Sequence, residues 1–225
     1  MNILYERLLL IVLCFIFGIV LWCMYDNWYI YSYTMEERVQ KYKPGTFGAV
    51  APEDSPILDD MAAWITIDNT NIDYPVMQGT DNVHYLNTDP FGSYSLSGSI
   101  YLDCRSSRDF SDPYSLIYGH HMEYGKMFGA LDDFLEPDYL AHHKTGSLII
   151  GKDASVTYDL EVFAAMQVPA DDEAVFNPEY GGIRQRITSA TGVPADQRDE
   201  RIVALSTCTE GSSISRIVVF CYILT

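Results

Sequence analysis

The chain has 225 residues, 48% of them hydrophobic and 13% aromatic, enough to bury one sizeable core but short for two independent domains. Its 14 basic residues face 31 acidic ones, a formal net charge of −17. That sign excludes a nucleic-acid binder working by phosphate attraction and suits a cationic partner or an amine substrate, although solubility alone accounts for most of these carboxylates.

Residues 8–25 (LLLIVLCFIFGIVLWCMY) form an uncharged run of 18, closed by Arg7 and Asp26. As a helix the run rises about 27 Å, close to the roughly 30 Å hydrocarbon thickness of a bilayer. Trp22, Tyr25, Trp28 and Tyr29 supply an interfacial aromatic belt. A buried core helix would show a polar stripe. A cleaved secretory signal would need small residues where Trp22, Met24 and Tyr25 stand. The expectation is therefore an uncleaved signal anchor over 8–25, with 1–7 as its cytoplasmic tail. Arg7 precedes the span while Arg38, Lys41 and Lys43 follow it, so flanking charge does not by itself set the orientation.

Beyond the span, residues 34–43 (TMEERVQKYK) read as a polar helix whose charges suit its dipole. Pro44, Gly45, Gly48, Pro52 and Pro56 then mark a flexible connection, so 26–56 is expected as juxtamembrane helix and linker, and 57–225 as the folded domain. Strands are expected at 63–67, 74–77, 99–103, 115–118, 147–151, 156–168, 201–207 and 216–224, separated by turn residues. Residues 126–135 read as a helix, because Met127, Phe128, Leu131, Phe134 and Leu135 fall on one face. A second helix is expected around 178–190. Many short strands with few helices favour a mainly β, closed or nearly closed barrel over a parallel α/β sheet.

The most informative segment is 201–224. An apolar strand (IVALST) runs into Cys208, a polar stretch TEGSSIS follows, and a second apolar strand opens with Arg216. As an antiparallel hairpin with a seven-residue loop, it sets Cys208 opposite Arg216, with Cβ atoms about 5 Å apart. A cation there favours the thiolate and can donate to charge developing on an attacked carbonyl. A buried free cysteine is usually a small hydrophobe, but Cys208 stands at a polar strand mouth beside Ser206, Thr207, Thr209 and Glu210. Cys221, between Phe220 and Tyr222 on an apolar strand, reads as inert core. Cys14 and Cys23 lie in the span, and Cys104, Cys208 and Cys221 form no paired spacing, so no disulfide framework is implied.

A nucleophilic cysteine needs a base. In SLIYGHHM an apolar strand runs through a glycine into His120, delivering an imidazole at a strand end; His84, His142 and His143 read as ordinary structural residues. The two HisHis pairs raise a zinc site only weakly, because neighbours on a strand point to opposite faces and no CxxC or HExxH accompanies them. No metal or cofactor is expected, and the acidic residues form no calcium loop.

These residues resemble the class B sortases. The matching segments are YPVMQGTDNVHYL (74–86), GSIYLD (98–103), YGHHMEYGKMFGALDDF (118–134), and LSTC followed by SRIVV (205–219). Together with the anchor they stand in the family's order along nearly the whole chain. The resemblance implies a closed eight-stranded sortase β-barrel with short helices and an N-terminal helical extension, held outside a Gram-positive membrane by one transmembrane helix.

The same resemblance implies a cysteine transpeptidase, of the peptidase and acyltransferase type, that cleaves a sorting motif after its threonine. The acyl group is held as a thioester and passed to an amine of the cell-wall peptidoglycan or, in some members, to a pilin lysine. The catalytic cysteine, histidine and arginine fall on Cys208, His120 and Arg216. Asn82, Leu86, Ser206, Thr207 and Glu210 resemble substrate-contact positions; the segment 169–190 has no visible counterpart. Cys104 and Cys221 depart from the simplest pattern and are expected to be dispensable. The alternatives are a papain-like cell-wall hydrolase, which usually carries its cysteine at a helix start upstream of the histidine, and a non-catalytic anchored barrel that only binds.

Overall fold

The computed structural model describes residues 3–32, 38–46, 48, 50–209 and 212–224. They fall into two units, 1–35 and 36–225. The first is a single helix, Ile3–Ser32. Its stretch Tyr5–Asp26, with a mean hydropathy of 2.8, is long and apolar enough to cross a membrane, and it contains the expected run.

The second unit is a closed barrel of eight strands: β1 (Met61–Ile67), β2 (Asp73–Met77), β3 (Ile100–Leu102), β4 (Tyr114–Gly119), β5 (Thr145–Ile150), β6 (Val156–Pro169), β7 (Arg201–Thr209) and β8 (Ser212–Leu224). All eight lie where apolar alternation put them. Around the barrel the order is β1-β2-β3-β4-β7-β8-β6-β5. The β2–β3 and β4–β7 ladders are parallel, and the other six are antiparallel. Closure leaves no free edge to template aggregation.

Alternation also divides the core. Leu116, Ala164, Met166, Val168, Ile202, Ala204, Val218 and Phe220 pack in one layer, covered by Ile183 and Ile187 of the helix Ile183–Thr191. Burying each isoleucine contributes about 1.5–3 kcal/mol, so Ile187→Ala would loosen that helix from the barrel. The helix starts later than expected, because Gly181 and Gly182 both take left-handed backbone angles and interrupt the turn before it.

The stretch 126–135 is not an α-helix. Met127 sits at φ +51, and a 3₁₀ helix covers only Gly129–Leu135. Met127, Phe128, Leu131 and Phe134 are buried all the same, whereas Leu135 is exposed.

The stretch expected as a connection is tied to the barrel. Beyond residues 38–39, a 3₁₀ turn at Gln40–Tyr42 replaces the last part of the expected helix. Lys43 Nζ donates to Asp73 Oδ1 (2.7 Å) and to Thr66 Oγ1 (2.8 Å), and Gln40 Nε2 donates to the Asp73 carbonyl (2.9 Å). Trp64 Nε1 and Thr66 Oγ1 donate to the same Asp73 oxygen, at 2.6 and 2.8 Å. Arg38 stacks over Phe91, Tyr42 meets that ring edge-on, and Val39 is fully buried.

The β7–β8 hairpin also differs from expectation. Cys208 pairs with Arg216, but the next pair is Thr209 with Ser212, a slip of three residues. In place of a seven-residue loop, β8 begins early. Across the slip β8 stays paired with β6: Ser215 is in register with Pro169, and Ala170 N donates to the Ile214 carbonyl at 2.8 Å.

Candidate active site

The parallel β4–β7 ladder pairs Tyr118 with Ser206 and Gly119 with Thr207. His120 follows Gly119 where β4 ends, Cys208 follows Thr207 on β7, and Cys208 is in register with Arg216 of β8. Backbone register thus brings together three residues spread over 97 positions of the sequence. Gly119 makes this possible: a Cβ there would lie 2.4 Å from Ile100 Cδ1 and 2.7 Å from Phe128 Cδ2. Only glycine lets β4 end so close to that packing.

His120 is fixed from both ends. Its Nε2 is 2.8 Å from the Leu86 carbonyl, and its own carbonyl accepts from Phe128 N at 3.0 Å. Leu86 is held there by the left-handed Gly98, where any Cβ would fall 2.4 Å from the Leu86 oxygen. A carbonyl partner makes Nε2 the N–H of the neutral ring and leaves Nδ1 as the acceptor.

Asn82, Leu86, Tyr101, Tyr118, Gly119, His120, Ser206, Thr207 and Arg216 line one cavity of about 290 Å³. Four of the five expected contact positions, Asn82, Leu86, Ser206 and Thr207, are therefore on the wall with His120 and Arg216. Glu210, the fifth, lies outside the described residues. Among the described residues, Ser206 Oγ is buried with no hydrogen-bond partner. An orphaned hydroxyl is costly when buried.

Two tyrosines and an aspartate were not foreseen. The Tyr101 and Tyr118 rings lie tilted by 33° with centroids 5.3 Å apart, and Tyr118 OH donates to Asp103 Oδ2 at 3.0 Å. Burial pushes the Tyr101 hydroxyl up to about 12, with the Arg216 guanidinium opposing and the Asp103 carboxylate adding. Their signal was the phenol placed on an apolar strand, which needs a partner once buried.

The remaining imidazoles lie elsewhere. His121 turns away from His120 and pairs with Asp132 (2.9 Å). His142 and His143 bond carbonyls one turn back, and His84 packs edge-on against Tyr85. Among the described residues no three His, Cys, Asp or Glu converge. Cys221 is fully buried, which pushes its thiol well above the ordinary range, and Cys104 is half-exposed.

The model of the sortase domain matches residues 65–224, so the chain belongs to the sortase family, on its class B branch. Sortase B of Listeria monocytogenes is 34% identical over 158 residues, 66% of this chain and 63% of that protein, so the match spans under two thirds of that relative. Sortase B of Staphylococcus aureus is 29% identical over 73% of this chain and 70% of its own.

Among solved structures, Spy0129 of Streptococcus pyogenes, a class B sortase involved in pilus biogenesis, superposes with a TM-score of 0.65. It is 36% identical, over 75% of this chain and 94% of its own. A Staphylococcus aureus sortase B–substrate complex gives 0.63 at 29% identity, over 75% and 82%.

Proposed function

We propose that the chain is a membrane-anchored cysteine transpeptidase that joins a secreted protein to an amine at a Gram-positive cell surface. The observation supporting this reading is that Cys208 is in register with Arg216 and follows Thr207, the ladder partner of Gly119, while His120 and Arg216 line one cavity of about 290 Å³.

In this reading the Cys208 thiolate attacks the carbonyl of a threonine in the sorting motif. The tetrahedral oxyanion is stabilised by the Arg216 guanidinium. As the C–N bond breaks, the proton that His120 Nδ1 took from the Cys208 thiol passes to the leaving amine, and a thioester remains on Cys208. The acceptor amine then loses its proton to His120 and attacks the thioester, so the amide re-forms and the thiolate departs. The thioester keeps the acyl group until an amine arrives, which lets transfer compete with water. Asn82, Leu86, Ser206, Thr207 and Glu210 are assigned to the motif, and Ser206 Oγ supplies an unused hydroxyl for it.

The acceptor is a peptidoglycan peptide amine, a class of nucleophile for which a solved complex of sortase B with triglycine is a precedent. The likeness to Spy0129 favours a second acceptor, a pilin lysine. The apolar helix is assigned as a single-pass anchor over 8–25, with the barrel outside the cell.

The test uses the full-length chain in detergent with quenched fluorogenic peptides, threonine fixed before the scissile bond and the flanking positions varied. Intact mass is recorded for wild type and Cys208→Ala. A Cys208-dependent acyl adduct with cleavage after threonine is expected. A folded wild type that forms no adduct across the set would leave the binding-module reading.

A further inference from the structure

Asp103 follows β3 directly, and its carboxylate is completely buried. Two such atoms in an apolar setting are costly unless every lone pair is used. Here they are. Oδ1 accepts from Arg105 N and Arg105 Nε, each at 2.9 Å. Oδ2 accepts from Arg105 Nη2 (2.7 Å), Asn82 Nδ2 (3.0 Å) and Tyr118 OH (3.0 Å). Arg105 itself is anchored outward, on the Phe176 carbonyl (2.8 Å) and Asn177 Oδ1 (3.3 Å).

Two of these donors, Asn82 and Tyr118, belong to the cavity wall. A carboxylate only accepts and a backbone N–H only donates. Asn82 Nδ2 faces Asp103, and its Oδ1 takes Cys104 N at 2.8 Å, so the amide cannot be turned over. The Asn82 backbone is pinned too, its carbonyl accepting from Tyr101 OH at 3.2 Å. With one Nδ2 hydrogen committed to Asp103, the other is the donor Asn82 has left. Tyr118 has committed its only hydrogen and offers lone pairs. Burial alone would raise the Asp103 carboxyl, but the Arg105 hydrogen bonds outweigh it and hold the group below the ordinary range. The polarity is thus set across the neutral pH range.

We propose that Asp103 is a positioning residue that fixes an acceptor at Tyr118 and, together with the Cys104 N–H, a donor at Asn82 on the cavity wall, selecting a bound peptide whose backbone offers an N–H to the first and a carbonyl to the second. The inference rests on the transpeptidase reading above. It concerns binding of the peptide rather than bond breaking.

Asp103→Asn tests it, because an amide in that place can donate as well as accept and so frees the Tyr118 hydroxyl to reverse and loosens the hold on Asn82 Nδ2, while Cys104 N still faces Asn82 Oδ1. The full-length chain in detergent is assayed with the best cleaved peptide of the fluorogenic set. Asp103→Asn is made in the wild-type chain and in an Asn82→Ala, Tyr118→Phe background. The expected result is a KM raised about tenfold in the first, with kcat changed much less, and no further rise in the second. A KM that does not move, or that rises equally in both backgrounds, overturns the proposal, since a structural defect would carry into either chain.

If Asp103→Asn does not fold, Asn82→Ala and Tyr118→Phe are read singly, as both leave the Asp103–Arg105 pair in place. A raised KM in each supports the assignment, and unchanged KM in both overturns it. A wild type that turns over no peptide removes the transpeptidase reading and this inference with it, whereas an active wild type with an indifferent Asp103→Asn removes the inference alone.

Discussion

Gly119 and Thr207 are register partners across the parallel β4–β7 ladder, so His120 and Cys208 leave the barrel side by side. Because Cys208 in turn pairs with Arg216 on β8, the backbone of β7 at this end of the barrel adjoins both the end of β4 and the Arg216 position. Strands hold functional groups more closely than loops do.

If that end of the barrel carries the chemistry, Cys208→Ala, His120→Ala and Arg216→Ala each lower kcat/KM by about 10³ or more while circular dichroism and melting stay at the wild-type values. Arg216→Lys recovers little, because a point ammonium lacks the planar fork. Near-normal turnover in any of the alanine variants removes that residue from the mechanism.

Gly119→Ala drives a methyl group into Ile100 and Phe128. The expected cost is about 1–3 kcal/mol in urea unfolding. Because any relaxation displaces the backbone leading into His120, turnover should fall by more than the loss of folded protein explains. Wild-type stability and turnover together would contradict the close approach.

Asp73→Ala orphans the Trp64 indole N–H, which is buried, and releases Lys43. A loss of about 1–3 kcal/mol follows. A chain beginning at residue 57 should melt lower than one beginning at residue 36, since it lacks the Gln40 and Lys43 contacts; equal melting temperatures would show that the docked segment contributes nothing.

The cysteines should separate by reactivity. At neutral pH in the folded protein, iodoacetamide is expected to modify Cys208 fastest and to leave Cys221, buried and held protonated, untouched over the same period. Cys104→Ser should keep full turnover, because Cys104 meets Asn82 through its backbone N. Loss of transpeptidation in a folded Cys104→Ser chain would overturn that expectation.

Asp103 gives stability a sign with pH. Its folded pKa lies below the unfolded value, so its contribution is present above the unfolded carboxyl pKa and lost as pH falls through the folded one. The stability gap between wild type and Asp103→Asn should be about 2 kcal/mol near pH 6 and close as pH falls through the folded pKa. A gap constant with pH would mean that the charge has no part in it.

The strands were legible because half-buried strands alternate apolar and polar residues, and the Cys208–Arg216 pairing was legible because apolar runs flank both. What local pattern cannot express is which distant strands adjoin. The β4–β7 ladder that carries His120 to Cys208 joins segments with β5, β6 and several short helices between them, and no residue in either announces it. Asp103 was overlooked for a related reason: a carboxylate just past a strand looks solvated until Arg105, Asn82 and Tyr118 converge on it. The 3₁₀ geometry at 129–135 escaped because apolar spacing over one or two turns suits either helix, and Met127's positive φ has no signal in its side chain.

The three-residue slip between Cys208–Arg216 and Thr209–Ser212 separates the hairpin's shaft from its tip. Above the slip, length and composition are free to vary without transmitting a register change to the shaft, because the mismatch is already absorbed and β6 holds Ser215 independently. A change of register introduced at Ser212 would therefore stop at the slip and leave the Cys208–Arg216 pair where it stands.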